Sequence, residues 1–577
     1  MSKIYGIDLG TTNSGISVLK DGKSYTIPVD GNGIVPSVVS LDGEDILIGR
    51  KARNRAAAFP DQSIRSVKRL MGTTQKLSLG KNSYDPEDIS AMILRYLCDE
   101  ARKLEGHEVE RVVITVPAYF SDAQRRATIE AGVRAGLHVE RIINEPTAAA
   151  LFYDHVNLIG RTDAGTNERQ SEKDICALVY DLGGGTFDVS ILRMGDIIEV
   201  LASTGDTHLG GDDFDKLLVD EMIEHIKENN GPDLKGYVPA MARLAAIAEE
   251  ARVTLSEKAS VVIQETQIPT PRGKGGKYCT VSMEFSREDL ESMTESLVNR
   301  TMTSVEIAMK EAQLTPERID RVLLVGGMTR MPIIASRLEA MFGAARLPAV
   351  DPDKSVGNGA AIQGGIISGE NCEQILVDVT PHTLSLASLN NRIFPPEYQC
   401  TPIIPRNTQI PTTRARTFYT IQRHQKMVDL EVYQGEHKYP RENTLIGETS
   451  LKLAPAEAQC PLTVEYSYDL NGIVRLVAEQ KGYSRKTEIR IDSRNPKLFD
   501  SQDLEELDET DDDIPEKSAP VNFVIQRARA VIDKMAPGDE REAIVELLQR
   551  YEKSLSDDDD TVDENEDALF AAMEDMQ

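Results

Sequence analysis

The chain has 577 residues, of which 40% are hydrophobic, and a formal net charge of −29. This length exceeds what one hydrophobic core serves, so several domains are expected. The charge disfavours nucleic acid as a partner because its phosphates would be repelled. No run of about 18 apolar residues is present, and no apolar leader precedes the strand predicted from Lys3, so we expect a cytoplasmic protein without a membrane segment. The six cysteines lack the spacing of zinc ligands or of a disulfide framework.

Residues 1–372 show the pattern of an α/β region. Short β-branched runs such as "RVVITVPAYF" (111–120) and "ICALVYDLGG" (175–184) alternate with long amphipathic stretches, for example 212–227 and 286–312. Strands that alternate with helices predict an α/β architecture. The polar stretch 157–173 is predicted to be a surface loop.

The pattern changes after residue 381. Short alternating runs cover 382–495, and "DLNG" at 469–472 is typical of a hairpin turn, so this region is predicted to be all-β. Residues 501–577 then hold 25 acidic and 7 basic side chains, a net charge of −18. Within this tail, apolar residues recur at helical spacing over 521–535, over 544–555 and in a last stretch at 568–576. The segment 496–577 is therefore expected to be acidic and partly helical.

Two similar turns carry the clearest chemical signal. "YGIDLGTTNS" (5–14) and "VYDLGGGTFD" (179–188) each lead an apolar strand into an Asp, glycines and a Thr, and an alternating strand leaves each turn. Neither has the spacing of a P-loop or of a dinucleotide fingerprint. Glycines still let backbone amides approach a polyphosphate, threonine hydroxyls can donate to it, and strand-end aspartates suit hydrated Mg²⁺. One such turn would favour a plain structural hairpin, but the repetition predicts two related lobes that clamp a nucleoside triphosphate.

A third apolar strand, "RVLLVGGMTRMP" (321–332), ends in Gly326 and Gly327 and leads into a predicted helix. This arrangement is typical of a turn whose backbone lies against a nucleoside base.

Four further stretches identify the kind of protein that these turns belong to. They are "VPAYFSDAQR" (116–125), "RIINEPTAAA" (141–150), "GDTHLGGDDFD" (205–215) and "VLLVGGMTRMP" (322–332). Together with the paired turns they resemble the DnaK-type seventy-kilodalton heat-shock chaperones, most closely the HscC-type bacterial branch. The resemblance implies a two-lobed, actin-like (ASKHA) α/β ATPase domain over 1–372 and a linker over 373–381. It further implies an all-β sandwich domain for peptide over 382–495 and a short α-helical lid or tail over 496–577.

The resemblance also implies the site residues. Catalysis would fall to Asp8, Lys68, Glu145, Asp181 and Thr207. Mg²⁺ would be held, mostly through water, by Asp8, Glu145, Asp181 and Asp188, and K⁺ is implied as a further ion. ATP or ADP would contact Gly10, Thr11, Thr12, Asn13, Gly183, Gly184, Gly185, Thr186, Gly210, Gly211, Glu249, Arg252, Ser256, Gly326, Gly327, Arg330 and Asp353. Without this pattern, Lys68 would be read as an ordinary solvated cation.

One departure from the family lies beside the nucleotide residues. Val253 stands where some members carry an arginine that stacks on the base. Arg330 is therefore expected to stack on the base alone.

The same resemblance assigns roles beyond the nucleotide site. The apolar triplet 375–377 before Asp378 matches a linker that pairs with one lobe in one state, although an ordinary strand fits the pattern as well. The peptide groove would be lined by Leu386, Leu389, Phe418, Ile421, Val428 and Leu430, which could instead be plain sandwich-core residues. Ile421 is bulkier than the small residue of the best-known bacterial member, so a tighter arch over the peptide and a narrower choice of peptides are expected.

The implied function is that of an ATP-dependent chaperone, an ATPase that captures and releases hydrophobic segments of unfolded polypeptides. Its implied partners are unfolded clients and a J-domain co-chaperone acting near Arg141 and Asp378, the exchange factor being left open, and the protein is expected to be a monomer. Two alternatives remain from the residues alone. A small-molecule kinase of the same superfamily would not explain the β region, and a nucleotide-controlled filament or scaffold protein would not need it.

Overall fold

The computed structural model describes residues 3–29, 31–163, 174–195, 197–271, 277–347, 351–370, 375–390, 396–483, 485–490 and 538–557, with a few further positions near the C-terminus. The chain divides into two compact units, Met1–Leu498 and Phe499–Gln577. Among the described helices, none combines the length and the hydropathy that crossing a membrane requires.

The first unit opens with a mixed sheet. Its elements up to residue 144 are β1 (Ile4–Leu9), β2 (Asn13–Lys20), β3 (Lys23–Thr26), β4 (Val35–Pro36), β5 (Val39–Asp42), β6 (Asp45–Ile48), α1 (Arg50–Ala56), β7 (Ser63–Ile64), β8 (Leu77–Leu79), β9 (Asn82–Tyr84), α2 (Pro86–Glu105), β10 (Arg111–Val116), α3 (Asp122–Arg134) and β11 (His138–Asn144). The main sheet has the order β11-β10-β1-β2-β3, and β4 pairs with β2. β1 runs parallel to β10 and forms an antiparallel hairpin with β2.

A second mixed sheet repeats this arrangement. The elements from residue 145 onward are α4 (Glu145–Asp163), β12 (Ile175–Leu182), β13 (Phe187–Met194), β14 (Ile197–Asp206), α5 (Gly211–Glu228), α6 (Val238–Glu257), β15 (Ser260–Pro269), β16 (Tyr278–Ser286), α7 (Arg287–Glu311), β17 (Arg321–Val325), α8 (Pro332–Phe342) and α9 (Ser355–Ser368). β12 forms an antiparallel hairpin with β13 and runs parallel to β17, as β1 does with β2 and β10. The predicted strand–turn–strand units are therefore confirmed in both halves. The amphipathic stretches predicted over 212–227 and 286–312 are confirmed as α5 and α7.

Local chemistry sets where these helices begin. At α3, the Ser121 side chain accepts a hydrogen bond from the Gln124 amide, and the Gln124 side chain accepts one from the Ser121 amide, which is a capping box. The predicted surface loop over 157–173 is wrong for 157–163, because α4 continues through those residues without a proline to stop it. Residues 164–173 lie outside the described part of the chain.

α4 and α9 lie between the two sheets and join them. Apolar residues from both sheets and both helices form one buried cluster, which includes Ile4, Val113, Ala148, Val179 and Ala360. The packing is close: a Cβ added to Gly359 would lie 1.8 Å from the main-chain oxygen of Ala148. Small residues on α9 therefore bring the helix backbones together, which places both hairpin turns on one side of this cluster.

The rest of the first unit is built of strands. They are β18 (Ile375–Val379), β19 (Leu384–Asn390), β20 (Glu397–Ile404), β21 (Gln409–Ile410), β22 (Thr412–Tyr419), β23 (Met427–Gln434), β24 (Thr444–Lys452), β25 (Pro461–Tyr468), β26 (Val474–Gln480) and β27 (Lys486–Arg490). Two four-stranded antiparallel sheets, β20-β19-β23-β24 and β22-β25-β26-β27, share a buried apolar cluster. The all-β prediction agrees with this sandwich, and the predicted hairpin at 469–472 is confirmed between β25 and β26.

The second unit contains α10 (Asp539–Asp557), in agreement with the helix predicted over 544–555. Ile544, Leu548 and Tyr551 of α10 are buried with Ala528, Ile532 and Leu569. Most of the helix predicted over 521–535 and of the stretch 568–576 lies outside the described residues.

Candidate functional site

The two hairpin turns face each other across a narrow gap. A Cβ added to Gly184 would lie 1.8 Å from the Thr12 hydroxyl oxygen, and one added to Gly185 would lie 2.6 Å from a Thr11 methyl carbon. Only glycine allows this approach. The structure therefore brings together the predicted turn residues of both hairpins, as the repeat suggested.

A second glycine segment packs beneath the β12–β13 turn. The Gly211 amide donates to the Gly183 oxygen at 3.0 Å, and a Cβ on Gly210 would lie 2.4 Å from the Gly185 nitrogen. Two glycine segments, which carry no side chains, therefore pack directly against each other. Such a cradle suits a group that is recognised by main-chain amides, as a polyphosphate is.

Three buried acidic side chains, the partly buried Asp8 and one buried lysine lie beside these turns. The Lys68 ammonium forms an ion pair with Oε1 of Glu145, and the Lys68 side chain is only 4% exposed. The alternative that Lys68 is a solvated cation is therefore wrong. The other carboxylates, Asp8, Asp181 and Asp188, have no lysine or arginine partner of this kind among the described ion pairs.

The pKa values of three of these carboxylates are raised by burial and by mutual repulsion. Burial, and then the charge of Glu145, raise the pKa of Asp8 to about 7. The same two causes raise the pKa of Asp188 to about 7. Burial and the charges of Glu145, Asp188 and Asp8 hold the pKa of Asp181 well above its usual range, and its Oδ2 is buried without a hydrogen-bond partner. A site with this excess of negative charge suits a bound cation.

Two residues that sequence analysis missed orient the carboxylates. The Thr115 hydroxyl donates to Oδ1 of Asp8 at 3.1 Å, and the Tyr119 amide donates to Oδ1 of Asp188 at 2.9 Å. Thr115 lies near the end of β10, and Tyr119 lies in the loop that follows this strand. The parallel pairing of β10 with β1 brings Thr115 to the site. The quoted stretches at 111–120 and 116–125 pointed to this segment without singling out these two residues.

A cavity that opens to solvent lies next to the turns and encloses about 370 Å³ of empty space. Its walls include Thr11, Thr12, Gly184, Glu249 and Arg252, all predicted for nucleotide contact. Other residues of its walls were not predicted from the sequence. They are Pro36, Ser37, Val38, Arg53, Arg65, Ser66, Asp212 and Asp215.

Charged groups fix the wall of this cavity on α6. One carboxylate oxygen of Glu249 accepts a hydrogen bond from Arg53 at 2.9 Å, and the other accepts one from Arg65 at 2.8 Å. Arg252 makes two hydrogen bonds to Asp215, at 2.6 and 3.1 Å. Both side chains that were predicted to contact ribose and adenine are thus held in place before any ligand enters.

Other predicted nucleotide residues lie beside this cavity rather than in its walls. Gly326 has a left-handed φ of 80°, and a Cβ there would lie 2.4 Å from the Leu182 oxygen and 3.0 Å from Oδ1 of Asp181. Arg330 pairs with Asp353 at 2.6 Å. The Gly327 turn therefore adjoins the carboxylate cluster through Gly326.

The remaining predicted residues have more local roles in the structure. The Ser256 hydroxyl donates to the Arg252 oxygen at 3.1 Å, and Thr207 hydrogen-bonds to the neighbouring His208 at 3.1 Å. The Thr186 oxygen accepts from the Gly183 amide at 3.0 Å, which closes its own turn. The residues that close the first turn are Gly10, whose oxygen accepts from Ser37, and Asn13, which pairs with Pro36.

The predicted peptide residues divide into three environments. Leu386 and Leu430 are buried in the sandwich core, where the alternative of a plain core role also fits. Phe418 and Val428 are partly buried and pack against this core. Leu389 is partly buried, whereas Ile421 is 56% exposed. A role in lining a groove stays a prediction for all six.

The segment between the second mixed sheet and the sandwich is itself a strand. β18 pairs in parallel with β14 through Ile375, Leu376 and Val377, and antiparallel with β21 of the sandwich region. This pairing fits the predicted linker and the alternative of an ordinary strand equally well, and a pairing that changes with state stays a prediction. Asp378 is held in this strand by hydrogen bonds from Asn144 at 2.7 Å and from Thr147 at 3.3 Å.

Among the described residues, no group of three or more His, Cys, Asp or Glu side chains is arranged as direct metal ligands. The carboxylates above fit a hydrated cation instead, since the unpartnered Asp181 oxygen and the raised pKa values mark uncompensated negative charge.

Comparison with protein families agrees with this geometry. The family model described as Hsp70 protein matches residues 4–78 and 73–577, which together cover nearly the whole chain. The paired turns, the buried carboxylates and the sheet-rich region that follows them are those of a chain that belongs to the Hsp70 family.

Proposed function

We propose that this chain hydrolyses ATP in the cavity beside the paired turns, and that the bound nucleotide controls how the β sandwich captures and releases extended hydrophobic segments of unfolded proteins. Membership of the Hsp70 family implies an ATP-dependent chaperone that uses ATP or ADP with Mg²⁺. The coupling of the two regions and the residues that perform each step are the parts proposed for this chain.

One observation carries the proposal. Two neighbouring residues where β11 ends and α4 begins contact the carboxylate site and the linker strand: Glu145 pairs with Lys68, and Asn144 donates to Asp378. A change in charge at Glu145 therefore acts within one residue of the hydrogen bond that holds β18. This short connection supports a two-state device that nucleotide can bias.

The turn residues suit the phosphates of the nucleotide. Backbone amides of Gly184 and Gly185, in the turn that the Gly183 amide closes, can donate to phosphate oxygens together with the hydroxyls of Thr11 and Thr12. Lys68 would stabilise negative charge on the transferred phosphoryl group and orient the attacking water, with Glu145 fixing its ammonium. Thr207 is proposed to complete this side of the site.

The carboxylates would hold the metal ion. Asp8, Glu145, Asp181 and Asp188 fit Mg²⁺ through water, and bound Mg²⁺ would supply positive charge that neutralises the phosphates. K⁺ is proposed as a second ion. The base and ribose would lie between Glu249, Arg252 and Ser256 on one side and Gly326, Gly327, Arg330 and Asp353 on the other.

The sandwich would hold peptide by main-chain hydrogen bonds and an apolar pocket. We keep the six residues named above as its lining, with Leu389 and Ile421 over the peptide. The exposure of Ile421 supports this position. The proposed domains are 1–372, 373–381, 382–495 and 496–577, with the last as a short lid or tail.

The partners follow from the same proposal. Unfolded polypeptides would be the clients, a J-domain protein would act near Arg141 and Asp378, and the exchange factor is open. The chain would act as a cytoplasmic monomer, most similar to the HscC-type branch.

The test uses the purified full chain and a fluorescent hydrophobic peptide. Peptide should stimulate ATP hydrolysis in single-turnover assays, and ATP should speed peptide release relative to ADP. A hydrolysis rate that no peptide changes, together with a release rate that no nucleotide changes, would contradict the proposal. Phosphate transfer to a small acceptor, or ATP-dependent polymerisation, would favour the two alternative functions.

A further inference from the structure

His382 lies where the sandwich region meets the first mixed sheet and its helices. Its Nε2–H donates to the main-chain oxygen of Tyr119 at 3.2 Å, and the two rings pack edge to face with centroids 4.2 Å apart. Tyr119 also donates its amide to Asp188 of the carboxylate site. One side chain of the sandwich region thus rests on the loop that orients a site carboxylate.

His382 is partly buried, and charged groups from several elements surround its ring. Glu436 faces it from the sandwich, Arg406 from the loop before β21, and Arg125 from α3. Each charged group has another partner. Those partners are the Thr383 amide and hydroxyl for Glu436, Glu311 and the Ser203 oxygen for Arg406, and the Asn144 side chain for Arg125. The Tyr119 ring, which packs against the imidazole, carries a titratable phenol on which Arg406, Glu436, Glu311 and Asp188 act.

These surroundings disfavour a charged imidazole. Burial is the main cause that lowers the pKa of His382 to about 4, and Arg406 and Arg125 act in the same direction. The Tyr119 carbonyl and Glu436 oppose this shift without overcoming it. An exposed histidine would have a pKa near 6.5.

We propose that His382 makes the docking of the sandwich region sensitive to pH: the docked arrangement seen in the structure requires a neutral ring, and protonation favours separation. The inference rests on the proposed function for one point, namely that docked and separated arrangements interconvert. It adds a form of regulation that nucleotide alone does not supply.

The direction and size of the effect follow from linkage. The docked state binds the His382 proton less tightly than the separated state, so protons drive separation as the pH falls below about 6.5. Between pH 7.5 and pH 5.5 the docking equilibrium constant should fall about tenfold, given pKa values of 6.5 when separated and about 4 when docked. Below pH 4 the ring is charged in both states, so the effect levels off.

Another group at the same interface acts in the opposite direction. Burial raises the pKa of Asp378, so its protonation favours docking as the pH falls. The contribution of His382 must therefore be read as the difference between the native chain and a variant. His382→Gln suits this purpose because its amide can still donate to the Tyr119 oxygen but does not titrate.

The absence of tryptophan from the chain allows a clean optical test. Leu470 is 43% exposed and lies with Arg141 and Leu376 around a small cavity beside the linker strand. In full-length protein carrying Leu470→Trp, the indole emission should report docking. We expect the emission to shift toward that of the separated form between pH 7.5 and 5.5, with a midpoint that depends on His382.

The matched variants decide the outcome. His382→Gln should remove the tenfold contribution of His382 to the change in the docking constant between pH 7.5 and 5.5. His225, whose ring hydrogen-bonds to the Ser282 oxygen on the surface of α5, provides the control, and His225→Gln should leave the change as it is in the native chain. Identical pH profiles for native and His382→Gln proteins would overturn the proposal. If His382→Gln does not fold, histidine ¹³Cε1 NMR of the native chain decides instead: a His382 resonance that titrates near 6.5 in the docked form would also overturn it.

A nucleotide arm keeps this test separate from that of the proposed function. At pH 7.5, addition of ATP or ADP should change the emission of the introduced indole. An emission that responds to pH but not to nucleotide would count against the proposed coupling and leave the role of His382 standing.

Discussion

Lys68 is the residue on which the charge balance of the carboxylate site depends. It is the buried cation paired with Glu145, while burial and mutual repulsion raise the pKa values of Asp8 and Asp188 to about 7. A buried charge that loses its partner is strongly destabilised. The lysine therefore has two roles, one in pairing with Glu145 and one in stabilising the charge that develops during hydrolysis.

We predict that Lys68→Ala lowers kcat for ATP hydrolysis by about 10²–10³-fold, as expected when one electrostatic stabiliser of a transition state is removed. Nucleotide affinity should change much less, because the glycine cradle and α6 wall remain. Single-turnover hydrolysis and nucleotide titration measure the two effects. Lys76→Ala is the control, since Lys76 pairs with Asp85 on the surface. Equal losses in both variants would contradict the assigned role.

The aspartates of the carboxylate site destabilise the nucleotide-free protein. Because the pKa of Asp188 is raised from 3.8 to about 7, its folded form favours the proton, and its stability contribution is lost as the pH rises from about 4 through 7. Asp188→Asn keeps an oxygen that can accept from the Tyr119 amide but carries no charge.

We therefore predict that Asp188→Asn raises the free energy of unfolding of the nucleotide-free protein at pH 8 by about 2–4 kcal/mol. The gain should shrink as the pH falls from about 7 toward 4, because the folded carboxyl takes up its proton over this range and the charge that burial penalises is lost. Urea unfolding at pH 8, 6 and 4.5 measures it, and Mg²⁺–ATP binding should weaken in the same variant. A gain that does not depend on pH would show that charge is not its cause.

At the scale of elements, the hairpin turns show what could be inferred from sequence. Asp8, Asp181 and the glycines follow apolar strands twice, so repetition alone indicated a shared site. Thr115 and Tyr119 could not be found in this way, because the pairing of β10 with β1 and the packing of its loop bring them to the carboxylates.

Contacts between residues that are distant in sequence could not be predicted for the same reason. Arg53 and Arg65 reach Glu249 although each lies more than 180 residues away from it along the chain. Alternation along strands likewise cannot separate a groove from a core. Leu386 and Leu430 have the same pattern as core residues, and the structure buries them with the core.

The glycine cradle gives a prediction that separates folding from binding. A Cβ on Gly210 would meet the Gly185 backbone at 2.4 Å, whereas one on Gly183 would meet only the Thr186 oxygen at 3.7 Å, an ordinary contact. We expect Gly210→Ala to cost about 1–3 kcal/mol of stability through overpacking. Gly183→Ala should leave the melting temperature nearly unchanged and weaken ATP binding, because its methyl group would enter the space proposed for phosphate.

Differential scanning calorimetry and nucleotide titration of both variants measure these effects. An unchanged ATP affinity in Gly183→Ala would show that the phosphates lie elsewhere. An unchanged melting temperature in Gly210→Ala would show that the two glycine layers can separate without cost.

At the scale of the whole molecule, the sandwich region is attached to the α/β region through a shared strand. β18 is bonded on one side to β14 and on the other to β21, so one strand belongs to both. Side-chain contacts of the loop before β21 with β14 and α7 add to this attachment. The Asn407 oxygen accepts from the Ser203 amide at 3.3 Å, and its amide donates to Glu311 at 3.0 Å.

Asn407 allows the coupling to be tested without disturbing the backbone. Its φ is 58°, a left-handed value that glycine adopts freely, so Asn407→Gly removes both side-chain hydrogen bonds and adds no strain. Gln459 has a φ of 64° on the sandwich and offers a matched control, Gln459→Gly. Both changes add the same backbone freedom to the unfolded chain.

We predict that Asn407→Gly reduces the ATP-induced acceleration of peptide release about 5–30-fold, since two hydrogen bonds, one of them to a carboxylate, contribute about 1–2 kcal/mol to the docked arrangement. Stopped-flow release of a fluorescent peptide with ATP and with ADP measures the ratio, which Gln459→Gly should leave unchanged. Reciprocity requires that stimulation of hydrolysis by peptide also changes in Asn407→Gly. If release responds to ATP as strongly as in the native chain, the contacts beside β18 do not transmit the nucleotide state, and the strand itself must do so.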